Sequence, residues 1–287
     1  MAGRLDVVAT PIGNLNDLSA RAREALSAAT LIAAEDTRRT GQLLQAIGVS
    51  AKLISLHDYN EQGRVERLVQ QLQSGDVIAL VSDAGTPLLS DPGFALVRAA
   101  AAAGVEVRAI PGPSALTAAL SIAGIATDRF IFEGFLPSRQ TERRTALERL
   151  SMESRTLVLF EAPHRIAATL ADLAQIFGDA RRAVVARELT KMHESIYRGT
   201  LRELSDLAGR NADVSRGEIT LIVEGAAKEA AALGDSQLLA RALQLLLPEL
   251  PPARAAAIAS QLAGSRRSDA YELALRMRPD SDSKERD

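Results

Sequence analysis

Three loops carry most of the usable chemistry in this sequence: ATPIGNL at 9–15, SDAGTPLLSDPG at 82–93 and IPGPSA at 110–115. Each follows or ends a short apolar run and is dense in proline, glycine and small polar residues. Asp83 offers a carboxylate that accepts hydrogen bonds from a ribose hydroxyl or an ammonium group, and Gly85 lets backbone approach a ligand closely. Phosphate-cradling loops work differently, aiming several consecutive backbone N–H groups at the anion, as in GxxxxGK(S/T) or GxGxxG. Neither pattern occurs here, and Pro11, Pro87, Pro92, Pro111 and Pro113 each delete a donor. The implied ligand is nucleoside-like or amino-acid-like and poor in phosphate. Prolines and glycines also punctuate ordinary turns, so the reading rests on three such loops recurring at strand ends.

The elements that must position these loops alternate. Strand-like runs at 5–10, 31–35, 53–56, 77–81 and 105–110 are each followed by a helical pattern, at 19–29, 37–47, 62–73, 94–103 and 114–122. Such βα repetition predicts a mostly parallel sheet covered by helices, with ligands near the carboxyl ends of its strands. A second block has strand candidates at 129–132, 156–160, 183–188, 194–198 and 219–223. Around 193–199 and 217–224 polar and apolar residues alternate, which predicts antiparallel pairing with one solvated face. After Gly225 the composition turns to alanine and leucine, with helical stretches at 236–247, 253–262 and 268–277. The expected architecture is α/β: an α/β domain at 1–123, a second α/β domain at 124–226 with a mixed sheet, a cleft between them, a helical domain at 227–278 and a disordered tail at 279–287.

Composition narrows the chemistry further. The formal net charge of −2 supplies no whole-protein field to attract nucleic acid, so an RNA partner must be held by local arginine clusters. The chain has no cysteine, which excludes thiol nucleophiles and zinc–thiolate sites. The three histidines, His57, His164 and His193, lack metal-ligand spacing, and no metal is expected. No basic-then-apolar leader and no run of eighteen apolar residues is present, which predicts a cytoplasmic protein without membrane or DNA partners.

Eight motifs in order, ATPIGNL (9–15), AEDTRRT (34–40), VSDAGTPLLSDPG (81–93), PGPSA (111–115), EGFLP (133–137), FEAPHR (160–165), RELTKMHE (187–194) and RGEITLIVEG (216–225), resemble those of the bacterial small-subunit ribosomal RNA cytidine 2′-O-methyltransferases, within the tetrapyrrole-methylase-like (class III) methyltransferases. The resemblance implies two α/β domains gripping S-adenosylmethionine between them, a homodimer, and methylation of a cytidine ribose in the decoding region of 16S ribosomal RNA, with naked RNA or the small ribosomal subunit as partner. Carried over residue by residue, it places Pro11, Ser82, Asp83, Gly85, Thr86, Ser114, Ala115, Phe160, Glu161 and Gly217 at the cofactor. Ala162 stands where the family's motif has serine, which removes one candidate donor.

Methyl transfer from a sulfonium to a hydroxyl needs neither metal nor covalent intermediate; positioning supplies most of the rate, and a base that accepts the hydroxyl proton adds about 10²–10⁴-fold. Glu133 and Asp17 are the base candidates, with Asn14 orienting the substrate. Glu133 has a plainer reading, a carboxylate paired with a neighbouring arginine. Candidate RNA contacts are Arg38, Arg39, His57, Arg139, Arg143, Arg144, Arg165 and Lys191, with Arg266 and Arg267 in the helical appendix. Tetrapyrrole methylation and a non-catalytic RNA-binding assembly factor are the alternatives.

Overall fold

The computed structural model describes residues 3–57 and 61–277. The first sheet holds β1 (Arg4–Val8), β2 (Leu31–Ala34), β3 (Leu53–Ser55), β4 (Val77–Val81) and β5 (Glu106–Ile110), in the order β3-β2-β4-β1-β5 with every pairing parallel. Helices α1 (Ala20–Ala28), α2 (Thr37–Ile47), α3 (Glu61–Gln73), α4 (Phe94–Ala102) and α5 (Ala115–Ala123) alternate with these strands. β2 is apolar and buried at every position, as a strand covered on both faces must be. Strands β1, β4 and β5 are neighbours, so their carboxyl-terminal loops meet at one edge, the usual ligand position in open α/β sheets. A two-bond bridge fixes the loop geometry there: Thr10 N–H donates to the Gly85 carbonyl at 2.9 Å, and Gly85 N–H returns the bond at 3.0 Å.

The second sheet, β6 (Phe130–Phe135), β7 (Thr156–Glu161), β8 (Arg182–Arg187), β9 (Ser195–Thr200) and β10 (Ile219–Val223), runs β6-β7-β10-β8-β9; β6 and β7 are parallel and the other pairs antiparallel. β9 and β10 each pair antiparallel with β8 between them, in agreement with their alternation, but the solvated face expected for β10 is absent. β10 is the central strand and every residue in it is buried. Ile219, Leu221 and Val223 enter one core with α6 (Gln140–Leu150), α7 (Ile166–Phe177) and α8 (Leu201–Arg210), while Ile222 faces the other way. The polar member, Thr220, is only 4% exposed and turns toward the cleft. Its polarity marks the site and not the solvent.

Helix α5 joins the first block to the second sheet through a common core. Leu116, Ala119, Leu120 and Ala123 of α5 pack with Val158, Val184, Ala186 and Ile222 of the second sheet and with Ile12 from the first loop. At the carboxyl end of α5, the Arg198 guanidinium donates to the Ile122 and Ala123 carbonyls, satisfying helix-end acceptors with a cation. The cleft between the sheets is therefore braced from behind by α5.

Helices α9 (Lys228–Leu246), α10 (Pro252–Ala263) and α11 (Arg267–Arg276) form a separate core of Leu239, Leu243 and a row of alanines including Ala255, Ala256, Ala259, Ala270 and Ala274. Small residues let the helices approach closely, Pro252 starts α10 where its missing N–H costs nothing, and Gly264 ends it at φ 63°. The tail expected to be disordered, 279–287, lies outside the described residues.

Candidate functional site

A cavity of about 420 Å³ opens between the two sheets, within the usual range for small-molecule sites. One wall comes from the strand ends of the first sheet and contributes Ile12, Glu35, Arg39, Asp83, Gly85, Thr86, Asp91, Ser114 and Ala115; the second sheet contributes Phe135, Phe160, Glu161, Ala186, Gly217 and Thr220 among others.

The first wall is acidic and cross-braced. Asp83 N–H donates to Glu35 Oε2 at 3.3 Å, Asp36 N–H donates to Asp83 Oδ1 at 3.0 Å, and Arg39 pairs with Asp83 Oδ2 at 3.1 Å. The ends of β2 and β4 are thus locked together through their own carboxylates. Thr86 Oγ1 donates to the Pro113 carbonyl at 3.1 Å, joining the second and third loops. Ser114 occupies the N-cap position of α5 without its hydroxyl capping the helix, so the start of α5 and Ala115 face the cavity. Asp91, from the end of the same loop as Asp83, completes the wall. Its carboxyl is pushed up to about 6, chiefly by burial and further by the charges of Glu35 and Asp83, while a hydrogen bond with Ser82 works the other way.

The second wall is aromatic and held by ion pairs. Phe160 meets Phe132 edge-on at 4.9 Å between ring centroids and Phe135 at 5.7 Å. Phe135 remains 55% exposed, a ring face presented to the cleft. Gly217, at φ 75°, sits so close to Glu188 that a Cβ would fall 2.3 Å from its Cδ, so only glycine fits. Glu188 accepts from Glu218 N–H at 2.8 Å and from the Lys191 ammonium at 2.9 Å, and Lys191 also reaches Glu218 at 3.2 Å. Burial opposes the Lys191 charge, but the two glutamates outweigh it and raise its pKa. The first loop rests on this lock, with Gly13 against Lys191 and Asn14 N–H donating to Thr190 Oγ1 at 3.2 Å.

Of the residues expected at the cofactor, Asp83, Gly85, Thr86, Ser114, Ala115, Phe160, Glu161 and Gly217 line the cavity. Pro11 adjoins the lining residue Ile12. Ser82 is buried and turned inward, where it supports Asp91. Glu161 lines the wall with both oxygens engaged: it accepts from Ala162 N–H at 2.8 Å and from Thr169 Oγ1 at 2.6 Å, and pairs with Arg165 at 3.2 Å.

The expected base candidates fare differently. Glu133 does not line the cavity. It is the extra residue of a β-bulge between Phe132 and Gly134 and is exposed; its charged neighbour Arg155 pairs with Glu153 instead. Asp17 is exposed in the short 3-10 helix Leu15–Asp17, and the Asn14 side chain caps that helix by accepting from Asn16 N–H at 3.0 Å. Sequence reasoning passed over Glu35 and Asp91. Glu35 had the same signal as Asp83, a carboxylate just past a buried strand, and Asp91 stood inside the quoted loop.

Most of the expected RNA-binding cations are paired. Arg143 is corrected outright: it is 4% exposed and bonds Asp172 within the core, because the polar face of α6 turns toward α7. Arg144 shares Asp172 and also bonds Gln175. Arg165 is turned inward, donating to the Leu136 and Pro137 carbonyls at 2.7 and 3.0 Å. Arg38 and Arg39 are exposed arginines paired with the part-buried Asp36 and Asp83, and Arg139 with Glu142 is a fully exposed pair whose arginine remains available at little cost. His57 ends the run after β3, half-buried and away from the cavity lining.

A parallel sheet and a mixed sheet enclose this carboxylate-lined cavity, and residues 4–205 match the family model described as Tetrapyrrole (Corrin/Porphyrin) Methylases, so the chain belongs to that family. Residues 234–278 match the RsmI C-terminal HTH domain. Within the family, this chain is 52% identical to Ribosomal RNA small subunit methyltransferase I of Xylella fastidiosa (strain Temecula1), over 94% of this chain and 98% of that one. It is 47% identical to the protein of the same name from Escherichia coli O157:H7, over 95% of each. Among solved structures, the methyltransferase CobJ superposes with a TM-score of 0.59 at 20% identity, covering 78% of this chain and 95% of that one. The uroporphyrin-III-C-methyltransferase from Thermus thermophilus superposes at 0.55 with 18% identity, covering 82% and 98%, a likeness of fold.

Proposed function

We propose that this chain transfers a methyl group from S-adenosylmethionine to the 2′-hydroxyl of a cytidine in small-subunit ribosomal RNA. The observation that carries the reading is near-full-length identity of about half to proteins named Ribosomal RNA small subunit methyltransferase I, in a chain whose cavity suits a cationic, phosphate-free donor. Glu35 and Asp83 give that cavity a negative wall for a sulfonium and an ammonium group. Phe160 and Phe135 offer ring faces to a nucleobase, and the start of α5 favours a carboxylate. Bound there, S-adenosylmethionine supplies an electrophilic methyl carbon with a neutral leaving group.

The protein's own work is then to hold the donor, exclude water behind α5 and orient a ribose at the cleft mouth. Arg38, Arg39 and Arg139 are exposed cations available to meet phosphates. We assign the helical unit α9–α11 to RNA contact through Arg266 and Arg267, and the active form to a homodimer. The test is incubation with labelled S-adenosylmethionine and, separately, 16S ribosomal RNA, assembled small subunits and a porphyrin precursor. The expected result is label at a cytidine ribose in one of the RNA substrates; label only in the porphyrin, or none anywhere, refutes the reading.

A further inference from the structure

We propose that Asp91 accepts the proton of the substrate's ribose hydroxyl during methyl transfer, a role that rests on the function proposed above. The cavity wall holds five carboxylates, and four have structural work. Glu161 is held by Thr169, Arg165 and Ala162 N–H; Glu218 pairs with Lys191; Asp83 is held by Arg39 and Asp36 N–H; Glu35 accepts from Asp83 N–H. Asp91 instead enters no ion pair among the described residues while it lines the cavity, so its carboxylate faces a second donor from the cavity without a cation to neutralise it.

Its placement fits the entering nucleophile. The loop before it is held in an uncommon backbone: Leu88 and Ser90 adopt φ of 74° and 69°, a conformation that strains non-glycine residues and persists only where the surroundings impose it. Ser90 is pressed against Gly134 of β6, where a Cβ would lie 2.7 Å from Ser90 Oγ. Asp91, the next residue, therefore lies at the seam where the first sheet's longest loop meets the second sheet, and it lines the same cavity as Phe135. A ribose entering between the sheets passes this seam.

As the ribose oxygen bonds to the methyl carbon, the carbon–sulfur bond breaks and its electron pair stays on sulfur. The hydroxyl proton passes to the Asp91 carboxylate and from there to water. A carboxylate pushed up to about 6 is a stronger base than an ordinary aspartate and is still ionised at neutral pH. The charged groups around it are Glu35 at the end of β2, Asp83 on its own loop, Arg39 from α2, and Glu161 and Glu218 across the cavity.

The experiment compares full-length wild type with Asp91→Asn and Asp91→Glu in donor binding by calorimetry, methyl transfer to small subunits across pH, and thermal unfolding. Asp91→Asn is expected to lower turnover by about 10²–10⁴-fold while leaving donor affinity within roughly a factor of three, and Asp91→Glu to recover part of the rate. Wild-type turnover should rise with pH and level off above about 6, a break that Asp91→Asn removes. The sign of the stability effect is fixed as well. A carboxyl raised from 3.8 to about 6 by folding destabilises the folded state increasingly as pH climbs through that window. Asp91→Asn should therefore melt no lower than wild type at neutral pH. An Asp91→Asn protein that turns over like wild type, or that loses donor binding together with activity, overturns the role of Asp91 and leaves the proposed function standing. A folded wild type that methylates no ribose overturns the function, and this role with it.

Discussion

The two walls of the cavity are built on opposite principles. On the first sheet's side, carboxylates stand at the ends of β2 and β4 and on the long loop, braced through backbone N–H groups and one exposed arginine. On the second sheet's side, aromatic rings face the cavity while the charged residues, Glu161 with Arg165 and Glu188 with Lys191, are neutralised against each other. The first wall carries charge toward a ligand; the second carries shape and spends its charge on holding loops in place. Titratable residues near a site thus divide by what already satisfies them, and the division is invisible in residue type.

Substitutions can break this contrast, beginning with the strongest. Arg143→Ala should destabilise the protein by about 3 kcal/mol, the low end for breaking a buried pair because Arg144 and Gln140 still reach Asp172. Denaturant titration checks it, and the salt dependence of RNA binding should not change. Asp83→Asn, on the charged wall, should weaken donor binding by about 1.5–3 kcal/mol, roughly ten- to a hundredfold in Kd by calorimetry. Phe160→Leu, on the shaped wall, should cost about 0.5–1.5 kcal/mol in the same measurement, through lost ring contact. Arg139→Ala should alter stability by no more than about 1 kcal/mol, yet reduce the salt slope of RNA binding by about one. If Arg143 and Arg139 exchanged these effects, the assignment of one to the core and the other to the cleft mouth would be wrong.

Much of the fold was legible because its signals are local. Apolar strand runs, each followed by a 3.6-residue pattern, mark the five strands described in the first sheet, strand-like runs and alternation mark the five described in the second, and the helix ends at Gly48 and Gly264 follow from glycines at φ 70° and 63°. The cavity loops were legible for the same reason, since Asp83, Gly85 and Ser114 sit just past strands. Long-range pairing was not. Nothing in the local sequence shows that Arg143 meets Asp172 twenty-nine residues away, or that Glu133 occupies a bulge. In β10 the alternation predicts a solvated face, but the polar Thr220 faces a buried cleft.

The central claim is that the cavity holds a cationic sulfur donor against a carboxylate wall and gives polyphosphate no purchase. Calorimetric titration of the full-length protein with S-adenosylmethionine and with ATP tests it most directly. Saturable binding of S-adenosylmethionine, weakened by Asp83→Asn, with no detectable heat from ATP is the predicted result. Saturable ATP binding in that cavity, with S-adenosylmethionine left free in solution, would contradict it.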